Sequence, residues 1–277
     1  VLDAISRHQV TDTLLVPTMI QMAVDSPEAA TADVSSLRSL IYGASPISEA
    51  LVERARKVFV NAGFTQAYGM TELSPVACLL SPADHEDLAL SRAAGRAAAH
   101  VELRIAGPEG NELPRGEVGE ILARGENVMR GYWNKPQESA AALRGGWMHT
   151  GDGGYMNDRG YVFIVDRIKD MIITGGENVY SAEVENAIAK HPAVAQCAVI
   201  GIPDPQWGER VHAVIVLGPS ASASEGEIRD FCRDHIAGYK VSRSVAFVHA
   251  LPVSGTGKIL KRELRKQHWD GSDRGVS

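Results

Sequence analysis

The stretch from Gly160 to Glu185 reads GYVFIVDRIKDMIITGGENVYSAEVE. A β-rich run, Tyr161 to Val165, ends in the charged corner Asp166-Arg167-Ile168-Lys169-Asp170. A second short apolar run, Met171 to Ile173, meets a turn at Gly175-Gly176, and a helix starts at Ser181. Charges placed where two apolar strands would otherwise merge predict a joint between two domains. The glycines predict a loop whose backbone can approach a ligand closely.

Downstream of the joint, Ser181 to Lys190 reads as a helix with Val184, Ala187 and Ile188 on one face, stopped before Pro192. Ala195 to Ile200, Val211 to Leu217 and Val245 to Ala250 read as strands. Ser224-Glu225-Gly226-Glu227 reads as a capping box for a helix bearing Ile228, Phe231, Cys232 and Ile236. Ile259 to Lys266 reads as a basic helix, and the tail after Trp269 as frayed. These elements make a compact α+β unit. Upstream, the pattern is different. Thr13 to Val16 and Leu40 to Tyr42 read as strands, with a helix near Met19 to Val24 between them. Ser45-Pro46 reads as the opening of a helix bearing Leu51, Ala55, Val58 and Phe59, ended by Gly63. Strands with helices between them imply a parallel α/β sheet covered on both faces. Only two or three such strands are legible, too few for a self-sufficient sheet. From about Gly95 to Val165, His100 to Ile105, Val118 to Ala123 and Tyr161 to Val165 read as strands of a small antiparallel barrel or distorted sheet.

The composition excludes several classes. The 277 residues carry a net charge of −6, which gives a nucleic-acid role no support. Cys78, Cys197 and Cys232 are isolated, which argues against a disulfide frame or a zinc site and fits a reducing, cytoplasmic setting. No apolar run reaches the roughly 18 residues of a membrane span. The first residues start inside a helical pattern, which reads as the interior of a longer protein.

Several strings carry chemistry. In Ala67-Tyr68-Gly69-Met70-Thr71-Glu72, a hydroxyl beside a carboxylate can serve a phosphate and its Mg²⁺, and Tyr68 offers a flat face to a base; a surface turn with a solvated Glu72 is the bland alternative. Gly43-Ala44-Ser45-Pro46 lies between a strand and a helix, where open α/β sheets bind ligands, although a plain turn has the same pattern. Trp147-Met148-His149-Thr150-Gly151-Asp152 ends at an acid able to grip a ribose diol, or at an ordinary turn Asp. Ser254-Gly255-Thr256-Gly257-Lys258-Ile259 is not a Walker-type loop, which needs Ser or Thr where Ile259 stands. It presents Lys258, either for charge neutralisation at a phosphate or as one of several solvated basic residues.

Together these strings closely resemble the motifs of the adenylate-forming acyl-CoA synthetase (ANL) superfamily, in order and over nearly the whole chain. The resemblance implies that Tyr68 lies against adenine, with Gly69 and Met70 in the same nucleotide-binding turn, that Thr71 meets the phosphates and that Glu72 holds Mg²⁺. It implies that Gly43, Ala44 and Ser45 line the adenine pocket and that Asp152 and Arg167 hold the ribose. Lys169 is then the hinge, and Lys258 serves adenylation. Gly175, Gly176, Glu177, Trp207, Tyr239 and Arg243 serve the thioester step with CoA, although Tyr239-Lys240-Val241-Ser242-Arg243 lacks the proline common there and Trp207 is equally an interface aromatic.

The implied fold is α/β plus α+β. Residues 1–166 are expected to be the C-terminal part of the large AMP-binding domain, an α/β remnant over about 1–94 and a β-rich part over about 95–166. Residues 167–277 are the hinge and the small C-terminal domain. The implied reaction joins a carboxylic acid to CoA through an acyl-adenylate, with domain rotation between the steps. A fatty acid is the expected substrate, from an overall likeness that includes the ending LRKQHWDGSDR. An aryl acid of the coumarate or ferulate type, or loading of a carrier protein, is the alternative. The family's phosphate-binding loop has no counterpart in this string. The chain is therefore expected to be a C-terminal half, inactive alone or a non-catalytic remnant, with the missing N-terminal half as a possible partner.

Overall fold

A computed structural model describes residues 1–45, 47–255 and 258–269. The expectations for Pro46, for Thr256 and Gly257, and for residues 270–277 fall outside the described residues. The chain divides into two compact units, Val1–Val165 and Asp166–Ser277.

The first unit begins α1 (Leu2–His8), β1 (Asp12–Leu15), α2 (Pro17–Asp25), β2 (Ser39–Gly43), α3 (Glu49–Val58) and β3 (Gly63–Tyr68). The three strands are parallel and neighbour one another in chain order. Proline opens α2 at its first position, where the missing N–H is no loss. Helical spacing brings Leu51, Ala55 and Phe59 to one buried face, which packs with Leu40, Tyr42 and Phe64 of the sheet. Cover is on one face only: burial alternates along β2, and Leu14 of β1 is 65% exposed.

Three local expectations need correction. The cap of α3 is Ser48, whose Oγ accepts the Leu51 N–H at 3.3 Å; Ser45 lies ahead of it. Gly63 does not end that helix. It opens β3, its N–H donating to Arg38 O at 2.8 Å, because the chain already leaves the helix at Phe59. The sheet is also larger than the two or three parallel strands legible in the sequence. β4 (Cys78–Leu80) and β5 (Arg96–Ala97) extend it antiparallel to five strands, in the order β1-β2-β3-β4-β5. Strands of two or three residues are too short to show alternation, so only their pairing reveals them.

The rest of the first unit is an antiparallel sheet of β6 (Val101–Ala106), β7 (Gly119–Gly125), β8 (Met148–Met156) and β9 (Val162–Arg167), in that order, with α4 (Pro136–Ala142) before β8. Its buried face joins Ile105, Ile121, Met148 and Val162 to Tyr68 and Leu73. This packing sets the Tyr68 turn against β7 and β8.

The second unit is a sheet in the order β11-β10-β13-β12, built from β10 (Ile172–Thr174), β11 (Glu177–Val179), β12 (Val194–Asp204) and β13 (Gly208–Leu217). β14 (Ser244–Phe247) runs parallel to β13 on its other side. Alternation along β12 and β13 sends Val199, Val211, Ala213 and Ile215 to a core with α5 (Ser181–Ile188) and α6 (Glu225–Arg233). Ala198, Ile200 and Val214 go to an opposite core with Leu264 of α7 (Lys261–Lys266). The capping box forms as its sequence requires: Ser224 accepts from the Glu227 N–H, and Glu227 accepts from the Ser224 N–H.

Candidate active site

In the first unit, β2 and β3 end side by side, with Gly43 opposite Ala67. The turns Gly43-Ala44-Ser45 and Tyr68-Gly69-Met70 therefore leave the sheet at adjacent carboxyl ends, where open α/β sheets place ligands. Gly43 is fixed by this closeness, since a Cβ there would stand 2.0 Å from Ala67 O. The structure also joins two motifs far apart in sequence: Tyr68 donates from its hydroxyl to Asp152 Oδ2 at 2.8 Å, across 84 residues. Both side chains are buried. Burial, reinforced by the Asp152 carboxylate, pushes the Tyr68 pKa up, so the phenol stays a neutral donor.

Asp152 is held by its own strand as well. The Thr150 hydroxyl donates to Ile121 O at 2.7 Å and accepts the Asp152 N–H at 3.1 Å. Glu120 accepts the Gly151 N–H at 3.1 Å and lies 2.7 Å from His149 Nδ1. The sequence reading missed Glu120, because nothing local ties it to a motif on a neighbouring strand.

Thr71 and Glu72 lie in a single helical turn, Thr71–Leu73. Glu72 Oε1 accepts from the Tyr132 hydroxyl at 2.9 Å, and Glu72 O accepts the Met129 N–H at 2.8 Å. The Asn127 amide donates to Leu73 O at 2.8 Å. The segment 127–132 thus clamps the acidic turn. Burial, with Glu72 beside it, raises the Tyr132 pKa. Asn127 and Tyr132 were also missed; the Gly131-Tyr132-Trp133 string in a turn-rich stretch is the only signal for them.

In the second unit, Arg167 closes β9 and Lys169 lies in the short turn Ile168–Asp170; both side chains are exposed. Asp166 and Asp170 bracket them and are tied down. Asp166 Oδ1 accepts the Arg167 N–H at 2.8 Å, and its Oδ2 accepts from the Ser181 hydroxyl at 2.6 Å. That Oδ2 also accepts the Ser181 N–H, so Asp166 satisfies the start of α5, whose own cap residue contributes no side chain. Arg265 holds Asp170 at 2.6 Å.

Gly175, Trp207 and Arg243 come together. Gly175 N–H donates to Trp207 O at 2.9 Å, and the Arg243 guanidinium lies 4.5 Å from the Trp207 ring centroid. Gly176 and Glu177 continue the exposed hairpin between β10 and β11. Tyr239 is exposed, 5.6 Å from the Lys240 ammonium, which pairs with Glu183 at 2.7 Å. Lys258 is exposed in a closed turn, its N–H donating to Ser254 Oγ at 3.1 Å and its O accepting the Ser254 N–H at 2.8 Å. At Gly175, φ is 61° and a Cβ would stand 2.6 Å from the Trp207 ring. Gly175→Ala is therefore expected to cost about 1–2 kcal/mol in backbone strain alone, read in thermal denaturation as a Tm lower by roughly 2–8 °C; an unchanged Tm would show that the turn tolerates a side chain.

Among the described residues no cluster of three or more His, Cys, Asp or Glu could cage a metal. A single carboxylate such as Glu72 nevertheless suits Mg²⁺, which keeps several waters and takes phosphate oxygens. No described helix is long and apolar enough to cross a membrane.

Known proteins resemble this chain in sequence and fold. The sequence model of the family described as AMP-binding enzyme matches residues 1–133, and that of the AMP-binding enzyme C-terminal domain matches residues 183–258. A feruloyl-CoA synthase from Amycolatopsis sp. is 44% identical over 269 residues, 96% of this chain and 54% of that protein. A fatty acid–[acyl-carrier-protein] ligase from Streptomyces coeruleorubidus is 42% identical over 276 residues, 99% of this chain and 53% of that protein. The amide bond synthetase McbA from Marinactinospora thermotolerans superposes with a TM-score of 0.89 at 38% identity, over 96% of this chain and 54% of that one. The chain spans about half the length of the curated relatives it matches.

These matches correct the expectation of a C-terminal half alone. The two domain models match residues 1–133 and 183–258, so the chain carries sequence of the AMP-binding domain as well as of its C-terminal companion. In the first unit, the helices packed on one face of the five-stranded sheet share a buried core with Leu40, Tyr42 and Phe64. The readings that depended on a missing half are withdrawn with it: the absent phosphate loop and inactivity alone, the non-catalytic remnant, and the N-terminal half as a partner. The fatty-acid reading also gives way, because a feruloyl-CoA synthase matches at 44% identity. By both of its domain matches, this chain belongs to the AMP-binding enzyme family.

Proposed function

We propose that this chain forms the nucleotide floor, hinge and mobile domain of an AMP-forming acid–CoA ligase for an aryl acid of the cinnamate type. Enzymes of the family use ATP, Mg²⁺ and CoA. In the first step the substrate carboxylate attacks the α-phosphate of ATP, and pyrophosphate leaves with the electron pair of the broken P–O bond. In the second the CoA thiol loses its proton and attacks the acyl carbon, and AMP leaves. Tyr68, Gly69, Met70 and the Gly43-Ala44-Ser45 turn bind the base, and Asp152 and Arg167 the ribose diol. Thr71 contacts the phosphates. Glu72, aimed by Tyr132, would hold Mg²⁺, which supplies charge neutralisation at the phosphates when bound. Lys258 neutralises charge at the α-phosphate. Gly175, Gly176, Glu177, Trp207, Tyr239 and Arg243 serve the thioester step. Lys258 and the Gly175-Gly176 loop lie far apart in sequence, so rotation at Lys169 exchanges them between the steps. The intermediate is a mixed anhydride, and such exchange keeps it from water.

The observation that supports this reading most is the buried Tyr68–Asp152 hydrogen bond, which joins the motif at the end of β3 to the motif within β8. The aryl class rests on the likeness to the feruloyl-CoA synthase. Two measurements test it. Calorimetry with AMP should show Asp152→Asn binding about 10–100-fold more weakly, the worth of a charged hydrogen bond. Turnover with ATP and CoA should favour hydroxycinnamic acids over medium-chain fatty acids by at least about tenfold in kcat/KM. A fatty-acid preference would sink the aryl assignment, and transfer to a carrier protein but not to CoA would reassign the acceptor.

A further inference from the structure

A group of polar side chains on β13 and β14 has no part in the steps above. His212 is 6% exposed, and its Nδ1 lies 2.8 Å from Ser244 Oγ, its register partner on β14. Its Nε2 is buried with no hydrogen-bond partner. His268, in the turn after α7, faces it with ring centroids 5.1 Å apart. Trp269 ties that turn down by donating its indole N–H to Gly201 O on β12 at 3.1 Å. Arg210, two residues before His212 and so on the same face of β13, has a buried Nε that is also without a partner.

Besides burial, the ionisable groups acting on His212 are the His268 ring and the Arg210 guanidinium, and both oppose its protonation. Burial first, then His268 and Arg210, push its pKa down to about 4, so at neutral pH it is an uncharged imidazole. Two buried polar atoms therefore lack partners beside the Arg210 positive charge. A water could satisfy the hydrogen bonds but would leave the Arg210 charge uncompensated. An oxyanion does both, since it accepts from the Arg and imidazole N–H donors and carries the opposite charge. If the imidazole Nδ1 accepts from Ser244, its Nε2–H is the donor; in the other tautomer, uptake of one proton at Nε2 creates that donor.

We propose that Arg210, His212, Ser244 and His268 form an oxyanion site for a phosphate group, either free phosphate or a phosphate carried on a ligand such as the 3′-phosphate of CoA. The site lies wholly within the second unit and does not depend on the adenylation reading. The test is a histidine Cε1–H NMR titration of the full chain with inorganic phosphate against chloride at constant ionic strength, the two resonances being assigned with His212→Gln and His268→Gln. The expected result is a saturable shift of both resonances and an apparent His212 pKa raised by about one unit. Arg210→Gln should weaken phosphate binding about tenfold, while Arg210→Lys keeps most of it and guards against a folding artefact. CoA binding more tightly than dephospho-CoA would name the 3′-phosphate as the source, and equal binding would name free phosphate. The proposal is overturned if phosphate moves the histidines no more than chloride does, or if Arg210→Gln remains folded and binds phosphate as before.

Discussion

Lys258→Ala is expected to slow acyl-adenylate formation by about 10²–10³-fold, the usual effect of removing one preorganised charge at a developing oxyanion. Conversion of a supplied acyl-adenylate to thioester should stay near its original rate. The turn that carries Lys258 is closed by Ser254 on both sides of its backbone, while the side chain itself is exposed. Its loss therefore leaves little packing to collapse, and the effect should be chemical. Pyrophosphate exchange measures the first half-reaction, and thioester formation from the isolated adenylate the second. Equal loss in both, with the fold intact, would remove Lys258 from the adenylation step.

The largest effect on stability is expected at Lys261, close by in sequence and opposite in character. Its ammonium lies 2.8 Å from Glu185 Oε1 and donates to Ser181 Oγ at 2.6 Å, with side chains 17% and 20% exposed at the pair. Glu185 also accepts the Val199 N–H at 2.7 Å, and Ser181 donates onward to Asp166. Burial works to lower the Lys261 pKa, but the carboxylates of Glu185, Asp166 and Asp170 outweigh it and leave it raised. A raised lysine pKa means stabilisation that is full at neutral pH and is lost only as alkali passes that raised value. Lys261→Met strands Glu185 as a buried, uncompensated carboxylate and should cost about 3–5 kcal/mol. Urea denaturation would report the loss, and Lys261→Met combined with Glu185→Gln should restore part of it, since no charge is then left unpaired. A single variant as stable as the parent would show that the pair is solvated.

This network explains why the segment 166–170 was legible as a joint between two units but its contacts were not. The run Asp166 to Asp170 stands out in sequence because its charges interrupt apolar strands. The partners of those charges, Ser181, Lys261 and Arg265, come from α5 and α7, up to 95 residues away. The same contrast separates Tyr68 from Tyr132. Tyr68 stands in a six-residue string whose chemistry is local. Tyr132 matters only because its hydroxyl reaches Glu72 across 60 residues.

The sequence by itself determined the elements whose information is short in range. The capping box at Ser224 and Glu227, the alternation along β12 and β13, the helical spacing of Leu51, Ala55 and Phe59, and the motif strings at Tyr68–Glu72 and Thr150–Asp152 each lie within a few residues. Their physics is backbone periodicity and local hydrogen bonding. Only the tertiary structure decided that β4 and β5 complete a five-stranded sheet, that glycine-rich Met148–Met156 is a strand, that Ser48 caps α3, and that Asp152 meets Tyr68. Those outcomes depend on which segments become neighbours after collapse. A pairing between distant residues leaves no trace in the local pattern of either one, because its energy exists only once the chain has brought them together.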